Sequence, residues 1–125
     1  MRRPPKPTDA ELAILQVLWA RGPSTVREVA RELGRESAYT TVLKQLQIMA
    51  QKQLVDRDES TRSHVYQAVL SEQDTQRRLV ADLLNRVFDG SAAQLLMQAL
   101  ASKKASRQEL AEIEKLIAKE RGGRR

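Results

Sequence analysis

The chain has 125 residues, which is enough for one compact domain or two very small units but not for a large multidomain enzyme. Lysine and arginine outnumber aspartate and glutamate by 22 to 16, and the net charge of +6 weakly favours polyanionic partners. The absence of cysteine excludes disulfides, thiolate metal sites and cysteine nucleophiles, and the single histidine argues against a histidine-rich metal site.

Two short helices are predicted first. Thr8-x-x-Glu11 has the spacing of a capping box, a leucine-rich stripe follows it, and Gly22-Pro23 ends the first helix. Thr25-x-x-Glu28 repeats the capping box at the start of the second helix, and Gly34 suits the left-handed position beyond its end. The stripes are Leu12, Leu15, Leu18 and Trp19 in the first helix and Val26, Val29, Ala30 and Leu33 in the second.

A third helix and a hairpin follow. The third helix is predicted from about Ser37 to about Lys52, and its inward residues are Val42, Leu46, Met49 and Ala50. Residues 54–57 and 64–69 read as two strands around a polar turn with its tip near Ser60. Three helices and a hairpin in about 60 residues have the order of a winged helix-turn-helix, which we assign to residues 1–70.

Residues 71–125 are predicted to be helical. Ser71, Ser91 and Ser106-x-x-Glu109 supply helix starts, and Asp89-Gly90 supplies a stop. The helices of this region cannot easily bury their thin apolar stripes against one another. We therefore expect these stripes to pack either against a second copy of the chain or against residues 1–70, and we favour the second copy. The predicted dimerisation residues are Leu79, Leu83, Leu84, Val87, Phe88, Leu95, Leu96, Leu110, Ile113, Leu116 and Ile117. The predicted fold class is thus mainly α with a small β-hairpin, an N-terminal winged helix-turn-helix followed by a C-terminal helical dimerisation region.

The outward face of the third helix favours contact with DNA. Its side chains are hydrogen-bonding groups apart from Ile48, and none is acidic, as base edges and phosphates in a major groove require. Tyr39 lies nearer the inward side, where its ring can pack while its hydroxyl reaches a phosphate. The alternative is an ordinary solvated polar face. The outward residues are Ser37, Thr40, Thr41, Lys44, Gln47, Ile48 and Gln51.

The hairpin offers a second contact through Arg57, Arg62 and His64, although His64 is more simply a packed or solvated strand residue. Acidic residues beside them would have to point away from DNA; they are Asp56, Asp58 and Glu59. The predicted DNA contacts are Ser37, Tyr39, Thr40, Thr41, Lys44, Gln47, Arg57 and Arg62.

The order of several segments resembles the BlaI/MecI/CopY family of bacterial repressors, the penicillinase-repressor type, from about Thr8 to Lys119. The matching segments are Thr8-Asp9-Ala10-Glu11-Leu12, Val17-Leu18-Trp19, Thr25-Val26-Arg27-Glu28-Val29, Ala38-Tyr39-Thr40-Thr41-Val42 with Leu46, Lys52-Gln53-Leu54-Val55, Arg62 with Val65-Tyr66, Phe88-Asp89-Gly90-Ser91 and Ser106-x-x-Glu109-Leu110.

The resemblance implies a winged helix that binds a palindromic operator in double-stranded DNA and a C-terminal region that forms a homodimer. It places Thr40, Thr41 and Lys44 on the recognition helix and Arg62 on the wing. In antibiotic-responsive members, a membrane sensor-peptidase pathway leads to cleavage of the repressor in its C-terminal region. The resemblance therefore implies a repressor that is released from DNA when such a signal separates its dimerisation region from its DNA-binding domain.

Three positions depart from the family pattern. Ile48 stands where arginine is frequent, so the operator contacts can differ, and Gln53 stands where glycine is frequent. Gln98-Ala99 replaces the family's Asn-Phe cleavage position, which puts cleavage there in doubt. The copper-responsive branch uses C-terminal cysteines, so its direct Cu(I) sensing is excluded.

Two rival classes remain open at this stage, a winged-helix adaptor that binds proteins and a winged-helix regulator released by a small-molecule ligand. An enzyme is not expected, because the chain has no nucleophile–base pair, metal cluster or glycine-rich phosphate loop. We expect no cofactor and no metal. No apolar run reaches the roughly 18 residues of a membrane span, and no signal peptide is evident, so we expect a cytoplasmic protein without membrane insertion.

Overall fold

The computed structural model describes residues 5–123, and its elements follow the predicted order. A 3-10 turn at Glu36–Ala38 comes directly before the third helix. The helices are α1 (Asp9–Arg21), α2 (Val26–Glu32), α3 (Tyr39–Gln51), α4 (Glu72–Val87), α5 (Ala92–Ser102) and α6 (Arg107–Gly123). The strands are β1 (Ser24–Thr25), β2 (Val55–Asp58) and β3 (Val65–Ala68). The prediction of a mainly α chain with a small hairpin is confirmed.

Side-chain caps define where the helices begin. At α1 the Thr8 hydroxyl accepts from the Glu11 N–H at 3.2 Å, and the Glu11 carboxylate accepts from the Thr8 N–H at 2.9 Å. The same reciprocal pair is formed by Thr25 and Glu28 at α2, and by Ser106 and Glu109 at α6. All three predicted capping boxes are therefore present, because the motif needs only residues three apart on one chain segment.

The end of α3 has a left-handed residue that is not glycine. Gln53 has φ +65°, the Gln53 N–H donates to the Ala50 carbonyl, and the Leu54 N–H donates to the Met49 carbonyl. Backbone bonds of this kind close a helix through a left-handed residue, for which glycine is usual. Glutamine stands here in place of the glycine that is frequent in the family, and Gln53 does adopt the conformation that glycine would take.

We expect Gln53→Gly to stabilise the chain by about 0.5 kcal/mol. Relief of the left-handed strain, about 1–2 kcal/mol, exceeds the greater entropy of glycine in the unfolded state, about 0.4–1 kcal/mol. Urea denaturation measures the change. Gln47→Gly, in the middle of α3, is the matched control and should destabilise by about 1 kcal/mol. Equal losses of stability in both variants would contradict a strained Gln53.

The sheet contains three antiparallel strands in the order β1-β3-β2 rather than the two that were expected. Arg57 lies opposite Tyr66 in the predicted hairpin, and β1 adds Ser24 opposite Tyr66 on the other edge. The sequence does not predict β1, because two residues carry no periodic pattern and their pairing partner lies some forty residues away. The third strand ties the start of α2 to the hairpin.

The core of the first part of the chain joins α1, α2, α3 and the sheet. The predicted inward residues of α3 are buried at Val42, Leu46 and Met49, while Ala50 is half-buried. In α1 the fully buried residue is Ile14, which the predicted stripe omitted, and Leu12 is only half-buried. The buried apolar residues are Ile14, Leu15, Leu18, Val26, Val29, Ala30, Val42, Leu46, Met49, Leu54, Val55 and Tyr66.

The chain divides into two compact units, the first ending at Val80 and the second beginning at Ala81. The start of α4 is part of the first unit, where Thr75 is buried. Close to this point the Trp19 indole N–H donates to the Leu70 carbonyl at 3.0 Å. The second unit is different in kind, because none of its described residues is buried.

Candidate nucleic-acid interface

The outward face of α3 is open to solvent. Thr40, Thr41, Lys44 and Gln47 are all exposed, and the first turn of the helix contains no acidic residue. Within residues 5–123, Lys44 forms no ion pair. A free lysine beside hydroxyl and amide groups can donate to base edges or to phosphates.

The beginning of this face differs from the expectation at two residues. Ser37 lies in the 3-10 turn before α3 and not on the helix itself, although it is exposed. Tyr39 is 39% exposed, more than its predicted inward side suggested, and the Arg27 guanidinium lies over its ring at 5.6 Å from the centroid. This distance is that of a cation–π contact, which orients both side chains.

The wing residue Arg57 already has a partner. Its guanidinium donates to the Glu59 carboxylate at 2.8 and 3.0 Å. The Tyr66 hydroxyl and then Glu59 raise the pKa of Arg57 above its usual value. Contact between Arg57 and DNA therefore stays a prediction, and it would require exchange of Glu59 for a phosphate.

Two open cavities flank α3 within the first unit, and they differ in charge. One, of about 520 Å³, lies beside the end of α3 and is lined by Gln47, Asp56, Arg57 and Glu59 among others. We call it the acidic groove, because its one cation is the paired Arg57. Of the three wing carboxylates that would have to point away from DNA, Asp56 and Glu59 line this groove.

The other cavity, of about 310 Å³, lies beside the start of α3. Its titratable lining comprises Arg27, Tyr39, Arg62, His64 and Tyr66, with no aspartate or glutamate. We call it the basic pocket. It brings the predicted wing residue Arg62 and the predicted helix residue Tyr39 to one site and adds Arg27. No role for Arg27 was predicted from the sequence, because nothing local to α2 reveals its contact with Tyr39.

An ion pair links α3 to α1. The Lys52 ammonium donates to the Glu11 carboxylate at 2.8 Å, and the Glu11 side chain is only 7% exposed. Burial alone would raise the pKa of Glu11, but hydrogen bonds from Lys52 and from the Thr8 N–H outweigh it and hold that pKa below its ordinary value. The same carboxylate therefore caps α1 and fixes the end of α3.

We expect Glu11→Gln to lower the free energy of unfolding and to make that free energy less dependent on pH. A carboxylate whose pKa is lowered by folding stabilises the folded state above its unfolded pKa, near 4.5, and this stabilisation disappears as the pH falls through the folded pKa. At pH 7 the loss should be about 1.5 kcal/mol, the contribution of a charged hydrogen bond.

Urea denaturation at pH 7 and pH 3 tests this pair of effects. The difference in stability between the variant and the wild type should be largest at pH 7 and should shrink at pH 3. Glu120→Gln, an exposed carboxylate without an ion pair to any described residue, is the control and should match the wild type at both values. A deficit in Glu11→Gln that is independent of pH would contradict the ion pair.

The predicted dimerisation residues are all exposed or half-buried in the single chain. Val87 and Leu116 are the most open of them, each 61% exposed. The half-buried ones are Leu79, Leu84, Phe88, Leu95 and Ile113, and the exposed ones are Leu83, Val87, Leu96, Leu110, Leu116 and Ile117.

The sequence pattern of the family described as penicillinase repressor matches residues 7–119. The chain belongs to the penicillinase repressor family. The match covers the capping box of α1, the candidate interface on α3 and most of α6, so the resemblance noted from separate segments is confirmed.

Individual relatives carry regulatory names. The chain is 37% identical over 89 residues to transcriptional regulator BlaI of Mycobacterium tuberculosis, in both strain CDC 1551 / Oshkosh and strain ATCC 25618 / H37Rv. That alignment covers 69% of this chain and 64% of each BlaI protein. The penicillinase repressor of Bacillus licheniformis is 24% identical over 119 residues, which cover 94% of this chain and 93% of that protein.

The penicillinase repressor family and these relatives are transcriptional regulators rather than enzymes, which confirms the expectation from the sequence. Within the described residues, no helix is both long enough and apolar enough to cross a membrane.

Proposed function

We propose that this chain is a homodimeric repressor of transcription that binds a palindromic operator in double-stranded DNA. Each subunit places α3 in a major groove, and the residues that contact DNA are Ser37, Tyr39, Thr40, Thr41, Lys44, Gln47 and Arg62, with Arg57 at the wing. The observation that carries the proposal is the acid-free outward face of α3, on which Lys44 is exposed without an ion pair to a described residue. Family membership supports the regulatory role.

The second unit supports the dimer. From Ala81 to Gly123, every described residue is exposed or half-buried, although α5 carries a run of apolar side chains. Apolar residues left open over a whole unit are typical of an interface with another chain. A second copy is the most common partner and would also supply the second half of a palindromic site. We therefore assign residues 1–70 to DNA binding and residues 71–125 to dimerisation.

Repression would follow from occupation of the promoter in the cytoplasm of a bacterium, and relief from loss of the dimer. A membrane sensor-peptidase pathway is one source of that signal. The Gln98-Ala99 bond lies within α5, where the Gln98 carbonyl accepts from the Ser102 hydroxyl. Cleavage there would require local unfolding of the helix. Cleavage of a different peptide bond, or a signal that separates the dimer without cleavage, is equally compatible with the proposal.

Titration of the full chain with duplex DNA at 50 and 200 mM salt tests the proposed function. A dimer that neutralises six to ten phosphates should lose about 10³- to 10⁵-fold in affinity between these concentrations. Binding that is weak and insensitive to salt would contradict the proposal and favour the adaptor. Release of DNA by added metabolites, with the chain intact, would favour the ligand-responsive regulator.

A further inference from the structure

The basic pocket differs from an ordinary charged surface in having cations without nearby anions. Arg27 and Arg62 form no ion pair with any residue from 5 to 123. The carboxylate next to Arg27 in sequence, Glu28, is engaged elsewhere, since it accepts from the Arg21 guanidinium at 2.8 Å and caps α2. Two guanidinium groups and an imidazole thus line one cavity without a compensating charge.

Arg27 is also held in place, which a solvated arginine would not be. The Tyr39 ring lies beneath its guanidinium, and Tyr39 is the first residue of α3. The pocket is therefore adjacent to Thr40 and Thr41, at the end of the helix that is proposed to read bases. An anion bound in the pocket would lie at a fixed distance from that end.

The basic pocket and the acidic groove lie beside opposite ends of α3 and differ in charge. The groove at the other end of α3 contains Asp56 and Glu59, and its Arg57 is neutralised by Glu59. The phosphate backbone is therefore attracted more strongly by the basic pocket than by the acidic groove.

We infer that the basic pocket binds one phosphate of the DNA backbone, with Arg27 as its main contact and Arg62 and His64 completing it. The inference rests on the proposed function and extends it to a positioning site. Arginine binds phosphate through two parallel N–H donors, and such contacts fix the register of a protein on DNA without reading sequence. Arg27 thus positions α3 from the neighbouring helix α2.

The test compares Arg27→Gln with Arg31→Gln. Both arginines lie on α2 and are exposed, and Arg31 does not line the basic pocket; its partner among the described residues is Glu36 at 4.0 Å. The probe is a 30-base-pair duplex of arbitrary sequence, because backbone contacts do not depend on sequence. Fluorescence anisotropy from 50 to 200 mM KCl gives the slope of log affinity against log salt.

Arg27→Gln should reduce the slope by about 1 for each bound subunit and lower the affinity about eightfold per subunit at 0.1 M salt. Arg31→Gln should change neither the slope nor the affinity by more than about twofold. Arg27→Lys should keep the slope, since it keeps the charge, and Arg62→Gln should reduce the slope by less than Arg27→Gln does, since Arg62 is the secondary contact. Thermal melting of each variant shows whether folding is retained.

Failure of this inference is separable from failure of the proposed function. If the wild type binds neither this duplex nor the DNA upstream of its own gene, the proposed function is contradicted. If the wild type binds and the folded Arg27→Gln and Arg62→Gln variants retain its slope, only the phosphate site is contradicted. Inorganic phosphate at millimolar concentration should displace DNA from the wild type more than from Arg27→Gln, with chloride at equal ionic strength as the reference, because free phosphate would compete for the same pocket.

Discussion

Val87→Glu combined with Leu116→Glu should convert the protein to a monomer and lower its affinity for promoter DNA by about 100-fold or more. Both side chains are 61% exposed in the single chain, so the substitutions remove little internal packing. In a dimer they would place carboxylates in an apolar interface, where each unpaired charge costs several kcal/mol. Separate subunits would then lose the linkage that makes the second half-site contact nearly intramolecular, commonly 10²- to 10⁴-fold.

Sedimentation velocity and anisotropy on one preparation measure the two effects together. Gln94→Glu combined with Gln108→Glu is the control, because it adds the same two charges to the exposed surface of the second unit at polar positions. The control should remain a dimer with wild-type affinity. A Val87→Glu, Leu116→Glu variant that still sediments as a dimer, or a wild type that is monomeric at micromolar concentration, would contradict the assignment of the second unit to dimerisation.

Lys44→Ala should lower the affinity for promoter DNA by at least about 30-fold. A side chain that contacts a base edge contributes about 1–3 kcal/mol, and a dimer loses the contact in both half-sites. Lys44 is exposed near the middle of the outward face of α3, so truncation to alanine removes no buried group. Lys119→Ala removes an equal charge from the exposed surface of α6 and is the control.

A second duplex separates the two ways in which Lys44 can act. If it contacts a base, Lys44→Ala weakens binding to the promoter duplex more than binding to a scrambled duplex. If it contacts a phosphate, both affinities fall together and the salt slope decreases by about 1 per subunit. Affinity within twofold of the wild type on both duplexes would remove Lys44 from the interface.

The features that the sequence predicted correctly are local in the chain. The capping boxes at Thr8, Thr25 and Ser106 depend on residues three apart, and the left-handed Gly34 depends on its own conformation. Burial along α3 follows from a single helical period, so Val42, Leu46 and Met49 were predictable before any packing was known. The order of these elements was sufficient to predict the winged-helix arrangement.

The features that it missed depend on contacts between distant segments. Pairing of β1 with β3 and the position of Arg27 over Tyr39 join residues that no periodic pattern relates. The same holds for Lys52 and Glu11, whose ion pair spans 41 residues. Ser37 was assigned to α3 because a 3-10 turn continues the helical pattern of exposure, although its backbone has a different pitch.

The resemblance to the family and the helical pattern of exposure select the same residues in the first half of α3. The sequence identified Thr40, Thr41 and Lys44 from their outward face and from the resemblance, and all three are exposed in the structure. The electrostatic division of the surface into a basic pocket and an acidic groove was not predictable, because basic and acidic residues are evenly distributed along the chain. Folding separates them, and this separation would orient the proposed interface on DNA.

Hydroxyl-radical footprinting of the full-length protein on the DNA upstream of its own gene tests the central claim most directly. A dimer that binds a palindrome should protect two patches related by two-fold symmetry, with centres about one helical turn (~34–36 Å) or a multiple of it apart. Lys44→Ala should remove both patches at the same protein concentration. A single unpaired patch, or no protection at a concentration where the protein is dimeric, would contradict the proposed repressor.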